Sequence, residues 1–238
     1  MNRSFQRSAS CALGLIMVLC LAATTVSAQK NNKRMKDAAR HSSDAARVFN
    51  QIMGTPDKGI PKELLDKAEA VAVFPGVVKA AFIVGGRGGQ GVISRRIAGG
   101  WSAPAFFNLG GGSIGAQIGA SKTDYVMLIM NDAGVKGLME DKFEMGGEIG
   151  VAAGPVGREA SASTTATLDA GILTYSRSKG LFAGVALKGA VINPDNDLNE
   201  AIYEGKKASE VLDREHSMKE MPMAVRIFPQ TLSQYSRK

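Results

Sequence analysis

The chain has 238 residues and a formal net charge of +7, with 45% hydrophobic and only 6% aromatic residues, which suits one domain with extensions. Its two cysteines, Cys11 and Cys20, both lie in the first 28 residues. If that segment is removed, thiol catalysis and thiolate metal ligation are excluded. The 28 glycines, concentrated between Gly76 and Gly189, predict short strands and tight turns in the centre of the chain.

The first 28 residues have the pattern of a secretory signal peptide. Arg3 and Arg7 precede an apolar run, and small residues at 26–28 predict cleavage after Ala28. A retained membrane anchor is disfavoured because the apolar run is shorter than the ~20 residues that a span needs. Acylation of Cys20 remains an alternative. We therefore predict a periplasmic or secreted protein that can be peripheral on a membrane.

Residues 33–53 are predicted to form a helix with a narrow apolar stripe and a basic opposite face. Two interpretations stay open. The favoured one packs the stripe, which is mostly alanine, on the protein's own domain. The alternative lays the helix on an anionic membrane, and its contact residues would be Lys33, Lys36, Arg40, Arg47 and Phe49.

The central stretch consists of β-rich apolar runs around a glycine-rich segment at 85–91. Lys79 lies in the run before the glycines, Arg87 lies among them, and the basic pair Arg95–Arg96 follows. We predict a glycine loop here. Its backbone N–H groups and the Arg87 fork could meet an anionic group, although a tight hairpin with a solvated Arg87 is what the spacing alone favours.

The chain beyond Trp101 reads as further short strands, interrupted by helices that Asn131 and Asp195 can cap. From 206 onward we predict a helix and then a loose tail. The fold class is α+β, with a glycine-rich antiparallel sheet or barrel-like sandwich flanked by N- and C-terminal helices. The predicted divisions are a signal peptide at 1–28, a basic helix and linker at 29–60, a domain at 61–205 and a basic C-terminal extension at 206–238.

Four motifs in order carry a resemblance to a known family: the stretch 70–96, GWSAP at 100–104, GPVGR at 154–158 and YSRSKGLFAG at 175–184. With them the chain resembles the bacterial branch of the SYLF-domain family from about residue 45 to 203. The resemblance implies a lipid-binding module, with phosphoinositides as the eukaryotic ligands. It implies actin binding only for fungal members, and the predicted compartment makes actin an unexpected partner here.

Three short motifs match catalytic signatures without their structural context. The G-x-G-x-x-G match at 86–91 precedes a predicted strand, whereas a dinucleotide site needs a helix. The matches around Ser113 and Ser176 also lack a following helix, and the histidines His41 and His216 lie in the basic flanks. An acidic cluster at the last predicted helix lacks calcium-loop spacing. We therefore predict no enzymatic activity, no cofactor and no metal.

The predicted function is non-catalytic binding of acidic phospholipid or phosphoinositide-like headgroups at a membrane surface. Arginine forks and glycine amides would recognise phosphate. The alternative is a structural protein of the cell envelope that binds another protein, and nucleic acid is not expected as a partner. The candidate lipid or anion contacts are Lys79, Arg87, Arg95, Arg96, Arg158, Arg177 and Lys179.

Overall fold

The computed structural model describes residues 29, 31–55, 59–81, 84–114, 119–157, 170–213 and 221–236. The predicted signal peptide, the candidate contact Arg158 and the second histidine, His216, lie outside these ranges. Within the described residues, no helix is both long enough and apolar enough to cross a membrane.

Ten strands form one sheet that is strongly curled into a half-barrel. The strands are β1 (Ala70–Ala81), β2 (Val84–Ile97), β3 (Gly100–Trp101), β4 (Ala105–Ile114), β5 (Gly119–Ile129), β6 (Phe143–Glu144), β7 (Val151–Ala153), β8 (Ile172–Ser178), β9 (Leu181–Gly184) and β10 (Val191–Pro194). Their order is β6-β10-β4-β2-β1-β5-β8-β7, with β3 attached to β2 and β9 to β8. All pairs are antiparallel except β7–β8.

Helices from both ends of the chain flank the sheet. They are α1 (residues 31–53), α2 (Lys62–Lys67), α3 (Asp132–Leu138), α4 (Asn196–Ile202), α5 (Ala208–Val211), a 3-10 turn (Met223–Val225) and α6 (Ile227–Tyr235). Asn131 accepts a hydrogen bond from the Gly134 N–H at 2.9 Å, and Asp195 accepts one from the Leu198 N–H at 3.1 Å, so both predicted caps are confirmed. The predicted α+β class with a flanked, barrel-like sheet is confirmed as well.

The glycine-rich segment at 85–91 is part of strand β2, so the predicted glycine loop is wrong. β2 lies between β1 and β4; it pairs with β4 along the whole segment and with β1 at 85–88. The glycines allow close packing: a Cβ added at Gly91 would lie 2.4 Å from the Val73 carbonyl oxygen and 2.5 Å from Phe74 Cδ1. Because these glycines belong to an extended strand that is paired with β4 throughout and with β1 at 85–88, they do not form a glycine loop around an anion.

The apolar stripe of α1 packs into the protein core. Phe49 has no exposed surface, and its ring meets Tyr235 of α6 edge-on with centroids 5.9 Å apart. Ser42 is also buried and donates a hydrogen bond to the Val225 carbonyl oxygen at 2.7 Å. The alternative in which Phe49 contacts a membrane is therefore wrong for this conformation, because core packing already uses the apolar face of the helix.

The basic side chains of α1 remain on its outer face. Lys33, Lys36, Arg40 and Arg47 are exposed. Arg40 pairs with Asp37 at 3.2 Å, and Arg47 pairs with Asp44 at 2.8 Å. Exposed pairs of this kind contribute little stability, so this face is a mixed-charge surface. Whether it contacts a membrane stays a prediction.

The C-terminal segment is part of the fold and not the loose tail that we expected. Phe228 and Leu232 of α6 are fully buried in the core that also contains Phe49. Ser236, just after the helix, accepts a hydrogen bond from Arg96 at 2.8 Å. The described residues 221–236 therefore close the core against the N-terminal helix.

Candidate functional site

Several hairpins end at the same side of the curled sheet. Ala81 at the end of β1 pairs with Gly119 at the start of β5, and Val84 at the start of β2 pairs with Ile114 at the end of β4. The β8–β9 hairpin turns nearby, because Arg177 of β8 pairs with Asp124 of β5. We call this side the hairpin end, and it comprises the described residues of 76–90, 108–124 and 174–184.

The hairpin end is strongly basic. Its described residues include five basic side chains and one acidic side chain, that of Asp124, which gives a formal net charge of +4. Four of the predicted contacts lie at this end of the sheet: Lys79, Arg87, Arg177 and Lys179. The basic residues are Lys79, Arg87, Lys122, Arg177 and Lys179.

Lys122 was missed in the sequence because it stands between two predicted strands. In the structure it lies inside β5, directly opposite Val78 of β1, so its side chain leaves the same end of the sheet on the face opposite to that of Lys79. Only the strand register places it there, and no local pattern around residue 122 indicates the register. Lys122 is exposed, and it adds a fifth cation to the four predicted ones.

Lys79 and Arg87 stand directly opposite each other across β1 and β2. Like charges in this position repel each other and weaken a sheet. Arg87 is half-buried, and its Nε has no hydrogen-bond partner among the described residues. An anion placed between the two side chains would relieve the repulsion and supply an acceptor to the guanidinium.

Arg177 is held in place by its neighbours. Its guanidinium donates to Gln51 Oε1 at 2.6 Å and to Asp124 Oδ2 at 3.3 Å. The hairpin tip beyond it is open: Lys179 is exposed and has a positive φ of 48°, and Leu181 is 79% exposed. The tip therefore combines an exposed cation, Lys179, with an exposed apolar side chain, Leu181.

Arg96 does not belong to this basic surface, so its prediction as an anion contact is wrong. Its guanidinium donates to the carbonyl oxygens of Ala68 at 2.9 Å and Leu65 at 2.8 Å and lies 4.2 Å from the centroid of the Trp101 ring. Burial lowers the pKa of Arg96 from its usual value. The side chain ties β2 to α2 and α6, which is a structural role.

Arg95 also lies apart from the hairpin end. It sits at the far end of β2, where it pairs with Asp132 at 3.0 Å. The single basic surface that we predicted is therefore divided, and Arg95 and Arg96 are at the opposite end of the sheet from Lys79 and Arg87.

Among the described residues, no group of three or more His, Cys, Asp or Glu could hold a metal ion.

The sequence model of the Ysc84 family, described as "Las17-binding protein actin regulator", matches residues 110–235. The chain therefore belongs to the Ysc84 family, and the predicted SYLF-type membership is confirmed. This family consists of binding and actin-regulator domains and is not a known enzyme family. The family model matches as far as residue 235, whereas the resemblance that we described from the sequence motifs ends at about residue 203.

Similar proteins come from fungi and mammals. The chain is 36% identical over 183 residues to "LAS seventeen-binding protein 3" of Saccharomyces cerevisiae, which covers 73% of this chain and 39% of that protein. It is 34% identical over 173 residues to human "SH3 domain-containing YSC84-like protein 1", which covers 71% of this chain and 50% of that protein. The chain thus spans about two fifths to one half of these relatives.

One expectation about partners is wrong. We did not expect actin as a partner, on the ground of the predicted compartment. The family description names an actin regulator, and yeast relatives are named for binding Las17. These names point to protein partners connected with actin, and a compartment predicted from the first 28 residues is not sufficient reason to exclude them.

Proposed function

We propose that the hairpin end binds acidic phospholipid headgroups at a membrane surface. The observation that carries this proposal is the excess of five basic side chains over a single acid at one end of the sheet, where Lys79 and Arg87 lie on one face and Lys122 and Arg177 on the other. Lys79, Lys122 and Lys179 are exposed, and no described residue forms an ion pair with any of them. Their charges are available to a ligand.

The binding mode differs from the one expected from the sequence. Glycine amides are not involved, because strand pairing occupies this segment of β2. Lysine point charges supply long-range attraction, worth roughly 1 kcal/mol for each basic side chain near an anionic surface. Arg87 supplies a directional contact to phosphate. Leu181 at the β8–β9 tip, 79% exposed, adds a small apolar contact with the interface.

The test is cosedimentation of the protein with phosphatidylcholine vesicles and with vesicles that also contain phosphatidylglycerol, at low and high salt. We expect binding only to the anionic vesicles and weaker binding at high salt, since surface electrostatics are screened. The double variant Lys79→Glu/Lys179→Glu should bind at least ~30-fold more weakly.

The matched control reverses two exposed lysines at the other end of the sheet. Lys67 on α2 and Lys136 on α3 are exposed, and Lys67→Glu/Lys136→Glu changes the net charge by the same amount. We expect this control to retain binding. Equal losses in the two double variants would mean that net charge alone drives adsorption, and the hairpin end would then not be a site.

A second candidate function is binding of a protein partner connected with actin. The family description and the relatives' names favour it. Cosedimentation of the protein with filamentous actin tests it directly, with the same two double variants. If the variant Lys79→Glu/Lys179→Glu still sediments with actin, then actin binds to a surface other than the hairpin end.

The predicted signal peptide would deliver the protein to an envelope membrane, so the lipid proposal includes that location.

A further inference from the structure

A groove runs between α1 and the sheet. It consists of two adjoining cavities of about 500 and 210 Å³, which share Arg40, His41 and Gln90 in their walls. The larger cavity is bounded by α1 on one side and by β1, β2 and β4 below, and the smaller one reaches the start of α4. The exposed lysines of the hairpin end do not line either cavity.

Part of the floor of this groove has no side chains. Gly88 of β2 lines the larger cavity and pairs with Gly110 of β4. A Cβ added at either position would meet nothing within 4 Å, and neither residue has a positive φ. The described fold therefore does not itself require glycine here. A glycine inside a strand marks a bulge, a bend or a close approach of a ligand or another backbone; the β1–β2 register shifts beside Gly88, and the open space above Gly88 and Gly110 leaves room for such an approach.

His41 supplies a polar side chain where the two cavities meet. Its side chain lines both cavities, and no hydrogen bond joins it to another described residue. Its ring nitrogens are not among the fully buried, unpartnered atoms of the described residues, so they are accessible to a ligand in the groove. Burial and then the nearby Arg40 lower the pKa of His41, so at neutral pH the imidazole offers one donor and one acceptor.

The remaining polar groups indicate the chemistry of the ligand. Gln90 and Asn108 face each other across β2 and β4 and line the larger cavity. Their amides, like the His41 imidazole, can pair with both the N–H and the C=O of a peptide group. Gln90 Nε2 also donates to Asp195 Oδ2 at 3.5 Å, which leaves its carbonyl oxygen for a ligand. An acyl chain would offer none of these groups a hydrogen bond.

The charges of the groove favour a cationic ligand. Four acidic residues and two arginines contribute to its walls, so the formal charge of the lining is −2 with His41 neutral. Asp197 is exposed at the mouth of the smaller cavity. A free phosphate or carboxylate would be repelled, whereas a lysine or arginine side chain would be attracted. The charged wall residues are Arg34, Asp37, Arg40, Asp44, Asp195 and Asp197.

We propose that this groove binds an extended segment of another polypeptide that carries a basic side chain. The segment lies over Gly88 and Gly110, where a bare sheet surface allows its backbone to approach. Its peptide groups pair with His41, Gln90 and Asn108, and its basic side chain reaches the acidic residues at the start of α4. The groove shares part of the sheet with the hairpin end, but none of the five basic side chains of that end lines it, so the proposal does not depend on lipid binding.

The experiment is selection of a phage-displayed random heptapeptide library on the purified protein, with parallel selection on the Gly88→Val variant. The added valine fills the floor of the groove and suits a strand. We expect peptides that are enriched about tenfold or more on the wild type relative to Gly88→Val and that carry lysine or arginine. The matched control is Gly112→Val: a Cβ at Gly112 also meets nothing within 4 Å, and Gly112 does not line the cavities.

A second measurement locates the selected peptide. Titration of the labelled protein should move the NMR signals of the His41 imidazole and the Gly88 amide, and His41→Phe should weaken binding without loss of folding. Three results would overturn the proposal: no peptide enriched over Gly88→Val, enriched peptides without basic residues, or loss of phosphatidylglycerol-vesicle binding in Gly88→Val but not in Gly112→Val. The last result would assign the groove to lipid.

Discussion

Replacement of Arg96 should destabilise the fold and leave vesicle binding unchanged. Its guanidinium donates to the carbonyl oxygens of Ala68 and Leu65 and to Ser236 Oγ, and it lies 4.2 Å from the Trp101 ring centroid. Hydrogen bonds from a charged donor contribute about 1.5–3 kcal/mol each, and a cation–π contact adds about 1 kcal/mol. Because removal of the charge also removes its desolvation cost, we expect Arg96→Ala to lower the free energy of unfolding by about 3 kcal/mol.

Urea denaturation followed by circular dichroism measures this loss, and Arg95→Ala is the matched control. Arg95 is the neighbouring residue on the same strand, and its guanidinium makes one hydrogen bond, to the exposed Asp132 at 3.0 Å, so its removal should cost less than that of Arg96, about 1.5 kcal/mol. Arg96→Lys should recover only part of the stability, because an ammonium cannot reproduce the fork. A loss below 0.5 kcal/mol for Arg96→Ala, or weaker vesicle binding at equal stability, would refute the structural role of Arg96.

Three further outcomes are expected. Phe49→Ala should lower the free energy of unfolding by about 3–5 kcal/mol in urea denaturation, because it opens a cavity in the core; a loss of vesicle binding with normal stability would contradict this placement. Asn199→Ala should cost about 3 kcal/mol in the same assay, because the buried Asn199 side chain bonds both the N–H and the C=O of Phe106. The pKa of His41 is lowered in the fold, so the unfolded chain binds a proton more readily; stability should fall as pH drops below about 6.5, and His41→Phe should flatten this dependence.

Much of the fold could be predicted from local patterns. The caps at Asn131 and Asp195 have short-range signatures, and alternating apolar runs indicate strands whatever their partners are. The apolar stripe of α1 identified Phe49 as an inward-facing residue under the favoured interpretation. These features depend on residues that are close in sequence, so the sequence alone can specify them.

The candidate site could be predicted only in part, because it depends on strand register. Glycines at 85–91 indicated a loop by composition, yet their pairing with both β1 and β4 makes them a central strand. Arg95 and Arg96 are near Arg87 in sequence, but an extended strand carries them to the opposite end of the sheet. Lys122 reaches the same end of the sheet as Lys79 only through the β1–β5 pairing, and the exposed or buried state of His41 depends on how α1 packs.

The contact between α1 and the C-terminal segment has a consequence for the order of folding. Ser42 and Val225, joined by a hydrogen bond, are 183 residues apart, so the native contacts of the first helix are not complete until nearly the whole chain is available. Closing such a long loop is slow compared with local helix formation. During synthesis and any export, the part of α1 that packs on the C-terminal segment therefore stays uncovered and open to wrong contacts. We expect a chaperone that holds nascent chains to protect this helix until Phe228 and Leu232 arrive.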